Sequence, residues 1–408
     1  MRITCVGGGP AGLYVAILAK LGAPGNDVTV YERHEEQAGH GWGVTFGSAL
    51  LRKLHACDPE SAQEIEGATL RWRDQFVDIH GERVSYTSGV EIFNLNRPRL
   101  VEILAARARQ LGVRICYGRE VASPRQLPDA DVIVAADGTG SRIRESTGNF
   151  GTRVSQGDDK YIWLGTDRDF RAFAHHFVRT RHGWIWASSY GTEAELSTFV
   201  VHCAAGTWRS LGFDRMAASD GLAALRELYR EQLEGHRLIG QLGDEAHARW
   251  HSSRSVTNDR WHVGNVVLVG DSAHATHFST GEGTTQAIED AIALVTSIGR
   301  NGGLENALAT YERQRKAELR CVQRQAELSA RFFADIPRYA GLRPGEFAAV
   351  LHARRSRLHQ MLPPRLYSQL RKASVPVVRQ LRPVARTVRH RLTMGAGTSP
   401  AAVTSSRK

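Results

Sequence analysis

A short apolar run, Ile3 to Val6, leads directly into Gly7-Gly8-Gly9-Pro10-Ala11-Gly12 and then into Leu13 to Leu21, which reads as a helix. Strand, glycine turn and helix in that order constrain the fold more than any other feature of the chain. One glycine permits the sharp turn, one lets backbone approach a pyrophosphate, and the third lets helix and strand pack closely. The pyrophosphate would sit on the helix N-terminus, where free N–H groups and the helix dipole favour anions. A second predicted strand, Val28-Thr29-Val30-Tyr31, ends in Glu32, twenty residues beyond Gly12, with Arg33 next to it. A dinucleotide fold places an acid there to hydrogen-bond an adenosine ribose. Glu32 would repel a 2′-phosphate, so the motif predicts FAD or NAD rather than NADP at this site.

Two later segments decide between them. Asp131-Val132-Ile133-Val134-Ala135-Ala136-Asp137-Gly138 is an apolar strand ending in Asp-Gly, followed by Ser141 and Arg144. Val266 to Val269 is another, followed by Gly270-Asp271-Ser272-Ala273-His274, and it opens onto Gly281-Glu282-Gly283-Thr284 and a helical stretch through Gln286 and Asp290. Apolar runs of this length suit strands covered on both faces.

With these motifs in this order, the chain resembles the single-component flavin aromatic hydroxylases, the p-hydroxybenzoate hydroxylase class. The resemblance implies non-covalent FAD, with NAD(P)H as a transient co-substrate and O2 as oxidant. It implies that Gly270 and Asp271 bind the ribityl and pyrophosphate region. Arg97, in Asn96-Arg97-Pro98-Arg99-Leu100, matches the arginine that reaches the cofactor from a helix start. The implied cofactor set is Gly7, Gly9, Pro10, Ala11, Gly12, Glu32, Arg33, Arg97, Asp137, Gly138, Gly270, Asp271, Gly281, Gly283 and Thr284. The helix starting near Gly283 would point its N-terminus at the flavin pyrimidine edge, where negative charge appears on reduction. Over residues 1 to 373 the chain is also similar to one subgroup, through Gly41-Trp42-Gly43-Val44, Lys160 to Thr166, Ser197 to Val201 and His277-Phe278-Ser279. That subgroup holds the tryptophan hydroxylase of violacein biosynthesis and the salicylyl-CoA and aminobenzoyl-CoA hydroxylases. Phe278 stands where most of the wider class has proline. Ser188 and His202 stand where related sequences carry a histidine and an acid.

The fold class implied is α/β: a Rossmann-like FAD-binding domain with a doubly wound parallel sheet, an antiparallel-sheet substrate domain, and a helical basic C-terminal segment. The FAD-binding domain is expected to be discontinuous, over 1–75, 96–159 and 256–330. The substrate domain is expected over 76–95 and 160–255, with 76–95 as a hairpin joining its sheet. Helices are expected over 331–373, following a long one over 304–332, and a basic, partly disordered tail over 374–408. In that tail Val377, Leu381, Val384, Val388 and Leu392 fall at helical spacing, although Pro376 and Pro383 limit it to short pieces.

At 408 residues and 42% apolar content the chain can bury a large core. No stretch approaches the roughly 20 apolar residues of a membrane span. The first strand begins at residue 2 or 3, leaving no room for a signal peptide, and five scattered cysteines form no Cys-x-x-Cys pair. A cytoplasmic enzyme without a metal site is expected. Residues 331–408 carry 16 Lys and Arg against two acids, so the remainder nets about −3 within a total of +11. No basic–aromatic module or zinc finger accompanies this charge, which argues against nucleic acid. The basic segment could dock on an acidic carrier domain, on an anionic membrane, or back onto the body.

A flavin hydroxylase needs little acid–base machinery, because the cofactor carries the difficult step. The resemblance implies a flavin C4a-hydroperoxide attacked by an electron-rich ring. The protein excludes water, places the ring and helps deprotonate a phenol or amine. The catalytic candidates are Trp42, His277 and Phe278 from the two glycine-flanked segments, and Tyr190 and His202 from the presumed pocket sheet. His277 either polarises a substrate hydroxyl or hydrogen-bonds backbone beside the Gly-Asp turn. Trp184 and Trp186 share a strand face, where core packing competes with ring stacking. Trp184-Ile185-Trp186 lacks the Ile-Pro signature of flavin halogenases, and no sensor domain supports a non-catalytic flavoprotein. The expected function is hydroxylation of an aromatic acid held as a CoA or carrier-protein thioester in secondary metabolism. The alternative is hydroxylation of a free tryptophan-like metabolite. The chain stops soon after the hydroxylase region, which suits a tailoring enzyme without the second half of the fused thioester hydroxylases.

Overall fold

The computed structural model describes residues 1–36, 41–193, 196–241, 247–300, 302–372 and 377–380, and the glycine motif lies at the centre of a parallel sheet. The strands, in chain order, are β1 (Arg2–Val6), β2 (Asp27–Tyr31), β3 (Gly43–Gly47), β4 (Leu70–Ile79), β5 (Glu82–Asn96), β6 (Arg114–Cys116), β7 (Val132–Ala135) and β8 (Arg153–Thr166). They continue with β9 (Phe173–Thr180), β10 (Gly183–Glu193), β11 (Leu196–Ala204), β12 (Leu238–Ile239), β13 (His251–Thr257), β14 (His262–Val263), β15 (Val266–Leu268) and β16 (Val377–Gln380). The first sheet runs β14-β15-β7-β1-β2-β6, parallel except for the β14–β15 pair. Its strands are buried on both faces, which is why they read as continuous apolar runs rather than alternating ones.

β1 passes through the glycine turn into the helix Pro10–Gly22, which is buried from Pro10 to Ala19 and packs against the helix Gly283–Ile298. Gly7 has φ +109°, and a Cβ on it would stand 2.3 Å from the Ala136 carbonyl oxygen. A Cβ on Gly12 would stand 2.1 Å from the Gly7 oxygen. Both contacts are with backbone, so only glycine lets the end of β7 approach the turn and the helix fold back over it. Cys5 is buried in β1, where burial pushes its thiol up to about 12.

The second sheet runs β12-β8-β11-β10-β9-β4-β5-β16, with β13 also on β8 and β3 also on β5. Its pairs are antiparallel except β4 with β9. Its strands reach beyond 76–95 and 160–255: the hairpin runs from Leu70 to Asn96 about His80 and Gly81, β8 begins at Arg153, and β3 comes from the N-terminal region. Alternation divides the faces. Ile162, Leu164, Ile185, Ala187, Phe199 and Val201 pack on Leu222, Leu225 and Leu233 on one side. On the other, Val77, Tyr86, Phe177 and Trp186 meet Phe332, Phe333 and Phe347 from the C-terminal helices. Those helices are Leu304–Ala334, Pro344–His352, Leu358–Met361 and Pro364–Lys372.

The expectation of a helical tail is corrected at its start. Val377–Gln380 is a strand, paired antiparallel with Arg83–Tyr86 of β5, because an unpaired sheet edge offers backbone partners that a four-residue helical piece could not match. The rest of that reading, residues 381–408, lies outside the described residues. Among the described residues no helix is long and apolar enough to cross a membrane.

One buried ion pair ties the nucleotide-binding half together. Arg315, 1% exposed, donates through Nε to Asp290 Oδ1 at 2.7 Å and through Nη2 to Gln286 Oε1 at 2.8 Å. Asp290 Oδ2 accepts the Gly270 N–H at 2.8 Å and faces His274 Nε2 at 2.7 Å. Burial pushes the Asp290 carboxyl up, but His274 and Arg315 outweigh it and hold it below the ordinary carboxylate range. Removing the cation leaves a buried carboxylate short of its partner. Arg315→Met is therefore expected to cost roughly 3–5 kcal/mol of stability, read from the shift in urea midpoint.

Candidate active site

Gly9 stands at the start of the helix Pro10–Gly22 with extended backbone and no side-chain cap, and a Cβ placed on it would meet nothing within 4 Å. The first turn of a buried helix is thus left open to an anion. Pro10 at the head of the helix needs no hydrogen-bond acceptor, and Ala11 packs beneath the Gly-Asp turn, 3.2 Å from where a Gly270 Cβ would be. Glu32 is fixed beside this turn: Oε2 accepts the Gly8 N–H at 2.7 Å, and Oε1 accepts the His34 N–H at 2.9 Å. Arg33 is exposed at the same strand end.

Arg97 opens the helix Arg97–Gln110 and donates its backbone N–H to the Trp42 carbonyl at 3.0 Å. Burial lowers its guanidinium pKa, while the nearby charges of Asp271 and Glu32 oppose the shift. Asp271 is walled by protein, and burial raises its carboxyl against the pull of His274 and Arg97. Its surface nevertheless remains exposed, as expected of a side chain on the wall of a cleft. Asp137 Oδ2 accepts the Ile143 N–H at 3.2 Å, but Oδ1 is buried with no protein partner. Gly138, Gly270 and Gly281 have φ of +83°, +59° and +68°, so all three turns need glycine. Gly283 and Thr284 begin a helix that also lacks a side-chain cap.

Trp42 Nε1, Trp163 Nε1 and Thr280 Oγ1 are also buried without partners. Open helix N-termini, carboxylates facing a cleft and orphaned polar atoms suit a long ligand bearing phosphates and hydroxyls. FAD fits this donor set.

His277, Phe278 and His202 come together on the second sheet's inner face. His277 Nε2 faces Asp159 Oδ2 at 3.0 Å, and Nδ1 accepts the Ser279 N–H at 3.3 Å. Both sequence readings of His277 therefore missed its main partner, a carboxylate. Burial pushes Asp159 up, but hydrogen bonds from His277 and Ser253 hold it below its ordinary range. The Phe278 ring lies 4.3 Å from Tyr161, 4.8 Å from His202 and 4.5 Å from His277, centroid to centroid. His202 also stacks on Trp186, which stacks on Phe333, so Trp186 belongs to a packed aromatic column. Burial first, and then the charge of His277, pushes His202 down to about 3.

Tyr190 and Trp42 form a separate group. The Tyr190 hydroxyl donates to the Gly43 carbonyl at 3.0 Å and its ring stacks on Phe173, so it tethers β10 to β3. Trp42 fills the space above Gly165, where a Cβ would lie 2.2 Å from its ring.

Long-range contacts supply residues that the sequence did not signal, Asp159 and Arg354, and give a place to Tyr161 of the Lys160 to Thr166 stretch. They also build a relay in which His176 joins Asp78 and Ser189, each at 2.7 Å. Its order resembles an acyl-transfer triad, but His176 and Ser189 are fully buried, so it clamps three strands together. A separate cleft of about 490 Å³, bordered by His80, Arg179, Trp184 and Glu231, holds none of the expected site residues.

Residues 129–326 match the model of a family described as FAD binding domain. The chain is 33% identical over 349 residues to salicyloyl-CoA 5-hydroxylase from a Streptomyces species, which covers 83% of this chain and 66% of that one. It is 32% identical over 341 residues to 3-hydroxy-4-methyl-anthranilyl-(aryl-carrier protein) 5-monooxygenase from Streptosporangium sibiricum, covering 83% and 90%. The fold is similar to 2-methyl-3-hydroxypyridine-5-carboxylic acid oxygenase, with a TM-score of 0.68 and 22% identity over 87% of this chain and 98% of that one.

Gly9→Ala and Asp271→Ala are expected to fold yet purify largely colourless, because one fills the anion cradle and the other removes a wall carboxylate. The ratio of flavin to protein absorbance checks this, and full retention by Asp271→Ala would remove that residue from the cofactor site. His202 stays neutral in the fold down to about pH 3, whereas the unfolded chain takes up a proton there near 6.5. Between those values the unfolded state binds the extra proton, so stability falls with falling pH. His202→Phe, which keeps the ring stack, is expected to lose less stability than the parent between pH 7.5 and pH 5, compared by urea midpoints.

Proposed function

The chain belongs to the FAD-dependent aromatic monooxygenases, and from that premise we propose that it hydroxylates an aromatic acid held as a CoA or carrier-protein thioester, with NAD(P)H as electron donor. One observation carries the reading. The turn bearing Asp271 and the aromatic group around His277 and Phe278 are joined by a segment of only five residues, so a cofactor held at the turn would lie close to those rings. The thioester is supported by the relatives whose names specify CoA and aryl-carrier-protein substrates. The chain spans 66% of the length of the first of these. The basic stretch beyond residue 373 suits an acidic carrier.

Bound FAD supplies the activation of O2 and the transfer of one oxygen atom to the ring. In this proposal Gly7, Gly9, Gly12 and the helix beginning at Pro10 take the pyrophosphate. Glu32 still has lone pairs for a ribose hydroxyl beside its bond to Gly8. Arg97, Asp137 and Asp271 line the polyol path, and the helix at Gly283 and Thr284 faces the ring system. Phe278, Tyr161 and Trp186 keep water from the reacting ring and orient it by stacking. A base with a pKa near 3 takes protons poorly at neutral pH, so His202 acts as a packing partner in the aromatic column. His277 is the group that accepts a proton from a ring hydroxyl or amine. Asp159 holds its Nε2 side, and Nδ1 becomes available when Ser279 N–H lets go.

The test is NAD(P)H oxidation with product mass for salicylate, anthranilate and tryptophan, each free and as a thioester. Stimulated oxidation and a product one oxygen heavier are expected for a thioester. The same result with a free acid only would transfer the assignment to the free-metabolite reading. Flavin-loaded protein stimulated by none of them would overturn the hydroxylase proposal for these rings.

A further inference from the structure

Arg354 lies just beyond the helix Pro344–His352, over the Phe333 end of the aromatic column. Its Nε donates to Ser329 Oγ, its Nη1 to the Leu351 carbonyl and its Nη2 to the Ser279 carbonyl, each at 3.1 Å. A guanidinium has five N–H groups, so two remain. Among the described residues no carboxylate lies within ion-pair distance. The ionisable groups that act on it are another cation, Arg355, which is itself paired with Glu282, and the neutral Tyr86 phenol.

Other deeply set arginines are balanced differently. Arg315 has Asp290, and Arg97 and Arg144 feel Asp271 and Asp137. Burial pushes Arg354 down to about 10, although part of its surface stays accessible. Those two properties together describe a deeply set cation that can still be reached by a ligand.

The surroundings are those of an aromatic binding site. Arg354 sits 5.5 Å over the Phe333 ring, which stacks on Trp186 and so connects to His202 and Phe278. His175 lies 6.0 Å from the same ring, and its Nδ1 pairs with Ser188 Oγ at 3.0 Å. Burial, and next the charge of Arg354, keep His175 neutral. Ser188 and His175 are directly opposed across β10 and β9, two residues along from the Trp186–Phe177 pair and on the same face.

We propose that Arg354 is the anion-binding end of the substrate cleft and takes an ionised oxygen carried on the aromatic ring, with His175 and Ser188 beside it. This rests on the aromatic-substrate reading above and sharpens it. On a thioester the ionised oxygen is a ring phenolate, because the acid is esterified; on a free acid it is the carboxylate. A phenolate held against Arg354 is also a more electron-rich ring than the phenol. Arg354 and Arg355 additionally hold the carbonyls of Ser279 and Thr280, which fixes the loop bearing His277 and Phe278. A neutral donor could do that. Loop fixing does not account for a buried charge with two free N–H groups and no counter-ion, an arrangement that costs free energy until an anion arrives.

The test is calorimetric titration of the flavin-loaded full chain with two matched pairs. Benzoate is compared with benzamide, and 4-nitrophenol, above its pKa, with 4-nitroanisole. The parent is expected to bind at least one anion about tenfold or more tightly than its neutral partner, and the pair that shows the preference identifies carboxylate or phenolate. Arg354→Met is expected to abolish the preference while leaving the neutral ligands bound, and Arg355→Met to retain it. A purely loop-fixing role would instead weaken all four ligands alike in Arg354→Met, which would overturn the proposal. Equal affinity within both pairs in the parent overturns it whatever the variants do. Binding of none of the four would overturn the aromatic-substrate reading and this one with it.

Discussion

Asp290 is the point on which the nucleotide-binding half turns. Two segments meet at this one buried carboxylate on the helix Gly283–Ile298: the long helix through Arg315, and the turn after β15 through both the Gly270 N–H and His274. A carboxylate this deep is tolerable only when each oxygen has a charged or N–H partner, and both do. The Gly-Asp turn is therefore held by Asp290 of the helix Gly283–Ile298, which the long helix braces in turn through Arg315. Asp271, the next residue, is free to face the cleft because its neighbour is so firmly tied.

The antiparallel sheet solves a different problem. A strand pair offers two faces, and here they have separate duties. One face buries aliphatic residues against the helices of residues 218–233 and supplies stability. The other collects Tyr161, His202, Trp186, His175 and Ser188, aromatic but punctuated by polar atoms, under a roof of C-terminal helices. The roof adds positive charge through Arg354, set over Phe333, to a face whose sheet contributes the carboxylate of Asp159. Because its arginines grip the carbonyls of Ser279 and Thr280, roof, loop and cofactor turn behave as one mechanical unit.

The glycine turn was legible because its requirements are local. Gly7 and Gly12 must lack a Cβ for reasons a strand–turn–helix pattern already implies, and a bounded run of buried apolar residues such as Val266 to Leu268 can hardly be anything but a covered strand. Glu32 was legible in position but not in its bond to the Gly8 N–H, since an acid at a strand end looks the same whether it faces a ligand or the backbone. Asp159 and Arg354 carried no signal. Each matters through a partner more than seventy residues away, and nothing in a single sequence marks such a pairing. Val377 to Gln380 misled for the opposite reason: its place in an apolar helical spacing matched a helix, but a four-residue segment takes the conformation that a waiting sheet edge imposes.

That edge has a consequence for the protein as a substance as well as a fold. A bare strand rim is a template on which another copy can add its own strand, and the danger grows with concentration. By laying residues 377–380 along Arg83–Tyr86, the chain occupies its own template from within. The added strand becomes the new edge and is only four residues long, so cutting the chain short of residue 377 would uncover Arg83–Tyr86 of β5 as the rim in its place.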